Sequence, residues 1–180
     1  MFKKMSIEKA VNWSIPFISL FSSFMHLLYN LSNKSIFAAI ISPINESVWE
    51  HLKMPVLPTI IWSIISFYIL RKNYNIVFKK WLYSSIISIF ICISFIVVFY
   101  YTYTGALGIH SIVLDILSLI ISVVIGQFGA LRIYNLKTIT NKQYFIIFSL
   151  FIFLVTAFIL FTFKAPHLPI FKDITGNYGL

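Results

Sequence analysis

Five apolar runs of near membrane-spanning length constrain the fold of this chain more than any other feature. They cover about residues 11–31, 56–70, 81–101, 107–131 and 144–163. A helix needs about 20 apolar residues to cross a bilayer, and a spanning segment must satisfy its own backbone polar groups. With 59% hydrophobic and 11% charged residues, the composition is far from that of a soluble domain. We therefore predict an all-α membrane protein, a bundle of five transmembrane helices, in one integral membrane domain over residues 1–180.

The basic residues predict the orientation of this bundle. Ten of the 14 Lys and Arg residues precede the first run or lie between the second and third or the fourth and fifth runs. Positively charged flanks favour the cytoplasmic side. We therefore predict a multi-pass protein of the cell membrane with a cytoplasmic N-terminus and an extracytoplasmic C-terminus. The ten residues are Lys3, Lys4, Lys9, Arg71, Lys72, Lys79, Lys80, Arg132, Lys137 and Lys142.

The net charge of +9 follows from these flanking residues and does not indicate a nucleic-acid surface. We expect the lipid bilayer as a partner and no nucleic acid. The single cysteine, Cys92, excludes an internal disulfide and a cysteine metal cluster.

A polar segment between the first two runs predicts a short helix that does not cross the membrane. Ser42 followed by Pro43 is a favourable helix start, with a capping oxygen and then a ring at the helical φ angle. Two further prolines follow the segment, at positions 55 and 58. We predict a short re-entrant or interfacial helix over about residues 43–54, lying across the outer mouth of the bundle.

The acidic and histidine side chains of this helix are the main candidates for chemistry. Glu46 and Glu50 are four residues apart, so a helix would project both from one face, with His51 on the adjacent face. His26 and Asp115 lie within the apolar runs, where ionisable groups are costly and mark functional sites. We expect all five side chains to meet in one recess at the outer mouth.

Carboxylates with nearby histidines can hold a divalent metal or act as an acid and base pair. Zinc is the expected metal, although the metalloprotease motif HExxH is absent. The candidate metal ligands are His26, Glu46, Glu50, His51 and Asp115. The candidate catalytic residues are Glu46, Glu50, His51 and Asp115.

Two further outer segments supply candidate binding residues. The run Tyr100–Gly105 predicts a tight outer turn before the fourth span. The tail over residues 164–180 is apolar and rich in proline, so we expect it to fold back as a lid with a turn at Asp173–Gly176. The candidate substrate-binding residues are Asn45, Trp49, Tyr103, His110, Asp173 and Tyr178.

Three motifs resemble the signatures of a family of small prokaryotic membrane proteins of unknown function. They are Ser-Pro-Ile-Asn-Glu-Ser-Val-Trp-Glu-His-Leu-Lys at 42–53, Tyr-Thr-Gly at 103–105 and Pro-Ile-Phe-Lys-Asp-Ile-Thr-Gly-Asn-Tyr-Gly at 169–179. The resemblance covers nearly the whole chain. It implies a multi-span membrane protein and supplies no catalytic role.

Three functions are consistent with this pattern. The first is a metal-dependent hydrolase or transferase that opens to the extracytoplasmic side and acts on a lipid-like or amphipathic substrate. The second is a protein, or transporter subunit, that binds or transports a small polar solute or cation. The third is a structural or regulatory subunit that docks a membrane protein partner through its polar helix.

Overall fold

The helices and their connections define the architecture. The computed structural model describes residues 5–136 and 138–180, and in them no β-strand is formed. Lys3, Lys4 and Lys137 of the predicted basic set lie outside these residues. The helices are α1 (Ile7–Leu31), α2 (Ile36–Ile41), α3 (Val48–His51), α4 (Val56–Leu70), α5 (Phe78–Leu107), α6 (Ile112–Leu136) and α7 (Asn141–Phe163), with a 3-10 turn at Pro169–Phe171.

Five helical segments among the described residues are long and apolar enough to cross a membrane. They are α1, the combined segment Val48–Leu70, α5, α6 and α7. Large apolar side chains cover their outer surfaces; Leu20 and Phe153, for example, are each 73% exposed. Such surfaces suit lipid rather than water. The prediction of a five-span, all-α, multi-pass membrane protein is confirmed.

The second span begins earlier than the sequence predicted. The single turn α3 runs into α4 through hydrogen bonds between residues three apart, such as Met54 N–His51 O (3.1 Å) and Val56 N–Lys53 O (3.0 Å). The predicted short helix is therefore the first turn of a spanning segment. It begins after Ser47, whose Oγ accepts from a backbone N–H in the first turn.

Ser42 was predicted to start this helix, and it instead ends the preceding one. It is the C-terminal cap of α2, a helix that the sequence did not predict, and its Oγ donates to Ala38 O at 2.7 Å. Residues 43–47 are not helical. This boundary matters because it removes Glu46 from the helix that carries Glu50.

The turn between the third and fourth spans lies three residues later than predicted. The helix α5 continues through the predicted turn Tyr100–Gly105 and ends at Leu107, with Gly108 as its C-terminal cap. Gly108 has a φ of +65°, a left-handed conformation that glycine adopts without steric cost. The prediction of a tight turn ending at Gly105 is therefore wrong.

The bundle has two polar ends, which we name by their contents. The basic end holds the start of α1 and the α4–α5 and α6–α7 connections. The site end holds the α1–α4 and α5–α6 connections and the C-terminal tail. Along the bundle, α5 packs against α6 and α7, and α1 packs against α4 and α6.

The C-terminal tail folds back over the site end, as predicted. Phe171 is buried and its ring lies 4.9 Å from the ring of Trp49. The final backbone N–H, that of Leu180, donates to Thr162 O at 2.8 Å. The turn at Asp173–Gly176 is present, with Gly176 N donating to Asp173 O at 3.1 Å. The tail thus forms a lid over α3.

Candidate functional site

Two histidines and one glutamate meet at the site end. The Nε2 atom of His26 lies 3.4 Å from Glu46 Oε2, and the Nε2 atom of His51 lies 3.4 Å from the same oxygen. One ligand atom from each residue falls within a mutual distance of 4.8 Å. The structure therefore brings together three of the five predicted metal ligands, across 25 residues of sequence.

Each residue of this cluster, which we call the His2Glu cluster, comes from a different element. His26 lies near the end of α1, Glu46 lies in the loop before the Ser47 cap, and His51 is the last residue of α3. The Nδ1 atom of His51 lies 2.8 Å from the carbonyl oxygen of Ser47. A carbonyl can only accept, so Nδ1 carries the proton of that bond and a neutral His51 leaves Nε2 as a free lone pair.

The cluster is partly open to its surroundings. The side chains of His26, Glu46 and His51 are 36%, 50% and 26% exposed. Hydrogen bonding from His51 is the main cause that lowers the pKa of Glu46 from 4.5 to about 2, and the charges of both histidines add to the effect. Partial burial acts in the opposite direction and is outweighed. Glu46 is therefore an anion at every physiological pH.

Glu50 faces a different partner. It is 2% exposed, and its Oε2 accepts from the ammonium of Lys53, 3% exposed, at 2.6 Å. Lys53 also donates to Ala39 O at 3.1 Å and to Thr162 Oγ1, while Glu50 accepts from Ile44 N at 3.2 Å. The three donors of the ammonium are thus used. The structure places this predicted ligand in a buried ion pair and not in the His2Glu cluster.

Asp115 also lies apart from the cluster. It sits in the first turn of α6, where the hydroxyl of Tyr103 donates to its Oδ1 at 2.7 Å. Its charge is near enough to act on the ring of His51. Among the described residues, however, it does not belong to a group with metal-ligand spacing. The recess that was predicted to hold all five side chains therefore contains His26, Glu46 and His51 but not Glu50 or Asp115.

Three of the predicted substrate-binding residues have polar partners of their own. Tyr103 binds Asp115 as described, and the ring of His110 lies 3.2 Å from the hydroxyl of Tyr100. Asn45 accepts from Ser47 N at 3.1 Å and contacts the tail. Their assignment to substrate binding stays a prediction.

The remaining three residues organise the tail and its contact surface. The ring of Trp49 packs against the rings of three phenylalanines, and the ring of Tyr178 packs at a tilt against that of His167, with ring centres 4.7 Å apart. Slight burial acts to raise the pKa of Asp173. The hydrogen bonds that Asp173 accepts, chiefly from Thr175 and Asn177, outweigh burial and lower the pKa below its usual value.

Sequence reasoning missed two residues of the site end. Lys53 was not among the candidate site residues, although its spacing of three from Glu50 fits a pair within one helix. Thr162 lies 109 residues beyond Lys53, and no local pattern indicates that contact. The capping pattern Ser47-x-x-Glu50 was also present in the sequence and marks the helix start that the structure uses.

Comparison with known proteins gives a family and no activity. The family of unknown function DUF6512 matches residues 1–180. No curated protein and no solved structure matches the chain. The resemblance to an uncharacterised family is confirmed, and the chain belongs to the family of unknown function DUF6512.

Proposed function

We propose that this protein is a membrane-embedded metalloprotein in which His26, Glu46 and His51 hold a divalent metal such as zinc. The metal would serve a hydrolase or transferase reaction on a lipid-like or amphipathic substrate. The observation that carries the proposal is the convergence of two imidazole nitrogens on one carboxylate oxygen, each at 3.4 Å.

This spacing fits a tetrahedral metal ion. With metal–ligand distances of about 2.1 Å, two ligands of a tetrahedral zinc ion lie about 3.4 Å apart. Both His–Glu separations equal that value, and the whole set lies within 4.8 Å. Two histidines and one glutamate are also a ligand set of catalytic zinc sites, which leave one position open for water.

The surroundings of the cluster support metal binding over a simple ion pair. The contact between His51 Nδ1 and the Ser47 carbonyl is the support that metal-bound histidines usually have, because it fixes the ring and its tautomer. Glu46, with its pKa of about 2, supplies a permanent negative charge. No proton therefore has to leave Glu46 before a cation binds.

An open coordination position would provide the chemistry. A bound divalent metal lowers the pKa of its water towards neutrality and so supplies a nucleophile. The half-exposed Glu46 leaves room for a substrate beside it. At the same end of the bundle, Leu27 on α1 and Phe37 on α2 are 54% and 83% exposed, which favours an approach from the lipid. An amphipathic substrate could place its apolar part there and its polar part at the metal.

The distribution of charge supports an extracytoplasmic position for this site. The basic end of the bundle carries Arg71, Lys72, Lys79 and Lys80 in and beside one connection, and such residues favour the cytoplasm. The His2Glu cluster lies at the opposite end. A C-terminal fusion to alkaline phosphatase should be active, and a C-terminal fusion to green fluorescent protein should be dark. The reverse pattern would overturn the orientation.

Metal analysis tests the proposal directly. The protein is purified in detergent, stripped with a chelator, incubated with zinc and desalted. We expect near-stoichiometric zinc in the wild type, and at least a tenfold loss of affinity in Glu46→Gln and His51→Gln. The matched controls are His110→Gln and His167→Gln, which change histidines outside the cluster and should retain the metal. Equal zinc in all five proteins, or none in the wild type, would contradict the proposal.

Cation binding without catalysis is the second candidate function. The partial exposure of the three ligand side chains favours it, because it permits a bound cation to exchange with the surroundings. The metal-loaded protein should hydrolyse fluorogenic esters or phosphodiesters with an acyl chain, and the Glu46→Gln variant should not. Stoichiometric metal with no turnover of either substrate class would support the second candidate instead.

A further inference from the structure

A cavity lined in part by polar side chains lies near the basic end of the bundle, at the meeting of α1, α4, α5 and α6. Its volume is about 30 Å³. The His2Glu cluster takes no part in it. The polar residues that line it are Thr59, Ser63, Ser66, Ser84, Ser85, Gln127 and Tyr134, together with the rings of Trp62 and Trp81.

One lining hydroxyl has no partner. Thr59 is 2% exposed, and its Oγ1 is buried with no hydrogen bond among the described residues. Its neighbours are satisfied: Ser66 donates to Trp62 O at 2.6 Å, and the hydroxyls of Ser63 and Ser85 lie 2.7 Å apart. An unpaired buried hydroxyl is costly, and most so where lipid surrounds the bundle.

We infer that this cavity is a hydration site in which bound water completes the hydrogen bonding of Thr59. A water molecule needs a cavity of about 10–15 Å³ and two to four polar partners. The volume of about 30 Å³ therefore has room for about two molecules. The lone pairs of the Ser63–Ser85 pair and the hydroxyl of Ser84 supply further partners.

The chemistry of the lining favours water over an ion. Every lining side chain in the described part of the chain is neutral at pH 7, since the polar groups are hydroxyls, one amide and indole N–H groups. A cation there would have no carboxylate to offset its desolvation. The indole N–H groups of Trp62 and Trp81 already donate to Ala10 O and Ser63 O, at 3.1 and 2.9 Å.

Radiolytic labelling of the wild-type protein in lipid nanodiscs tests the inference. Brief X-ray exposure in water enriched in ¹⁸O generates hydroxyl radicals from bound water, and these oxidise adjacent side chains. We expect Trp62 and Trp81 to be labelled several-fold faster than Phe158, which is 3% exposed within an apolar cluster, after each rate is divided by the intrinsic reactivity of its side chain. Rates equal to that of Phe158 would mean a dry cavity and would overturn the inference.

A matched pair of variants gives an independent result. Thr59→Val removes the hydroxyl in the cavity. Thr156→Val removes an exposed hydroxyl on α7 that donates to its own helix, to Ile152 O at 2.9 Å. If water is bound, Thr59→Val lowers the unfolding midpoint more than Thr156→Val does. If the cavity is dry, Thr59→Val removes an unpaired group and raises the midpoint, which would refute the inference.

Discussion

The buried pair of Glu50 and Lys53 allows a quantitative prediction about stability. Changing Lys53 to Met keeps most of the side-chain volume and removes the ammonium. The Glu50 carboxylate, 2% exposed, would keep the backbone N–H of Ile44 and the hydroxyl of Thr162 as partners. It would lose the cation at 2.6 Å. Water cannot replace that cation because α2 and α7 cover the site.

The size of the effect follows from this burial. Removing one member of a buried ion pair costs about 3–5 kcal/mol, since the remaining charge is left uncompensated. Removing both charges is far less costly, because the desolvation of both ions is also avoided. We therefore expect Lys53→Met to lower the free energy of unfolding by about 3–5 kcal/mol. The double variant Glu50→Gln/Lys53→Met should recover most of that loss.

Equilibrium unfolding in mixed detergent micelles measures both values. Lys164→Met is the matched control, because Lys164 is exposed at the same end of the bundle; its effect should stay within about 0.5 kcal/mol. A loss below about 1 kcal/mol in Lys53→Met would refute the assignment of a buried pair. A double variant less stable than Lys53→Met alone would refute the argument from desolvation.

Three further predictions follow from the site and the helix contacts. The Glu46 carboxyl should titrate near pH 2 by carbon-13 NMR, and its pKa should move towards 4.5 in His51→Gln. Because the pKa of Glu46 is lower in the folded protein, its ionised carboxylate stabilises the fold above about pH 4.5. That stabilisation is lost as the pH falls towards 2. Gly126→Ala should lower the free energy of unfolding by about 1–3 kcal/mol in thermal melts, because the new Cβ would lie 2.6 Å from the sulfur of a buried cysteine. Gly105→Ala is the control and should not destabilise the protein, because a Cβ there has no atom within 4 Å. Ser47→Ala should lower the free energy of unfolding by about 1 kcal/mol through loss of the α3 cap, measured by the same melts; no change would show that this cap is unimportant.

The local sequence was sufficient to predict which segments of the chain cross the membrane. Membrane helices must be long, apolar and internally hydrogen-bonded, so the run over 56–70 and its four counterparts could be recognised one at a time. The lid was predictable for a similar reason, because the proline-rich tail carries Phe171 and other apolar groups that require cover.

The helix boundaries were harder to predict than the spans because two local signals competed. Both Ser42-Pro43 and Ser47-x-x-Glu50 are favourable helix starts, and the sequence alone did not rank them. The structure uses the second. Glu46 therefore lies before the helix and Glu50 within it, and the rule that places residues four apart on one face does not apply to them.

The sequence by itself determined that this chain crosses a membrane five times and that its four histidines and four of its five acidic residues gather towards one end. Only the tertiary structure decided how those residues pair: Glu46 with His26 and His51, Glu50 with Lys53 and Thr162, and Asp115 with Tyr103. The physical reason is that the rotation and depth of each helix are set by packing against its neighbours. Apolar periodicity fixes which segments are helices, but it does not fix which partner, up to 112 residues away, a buried charge will face.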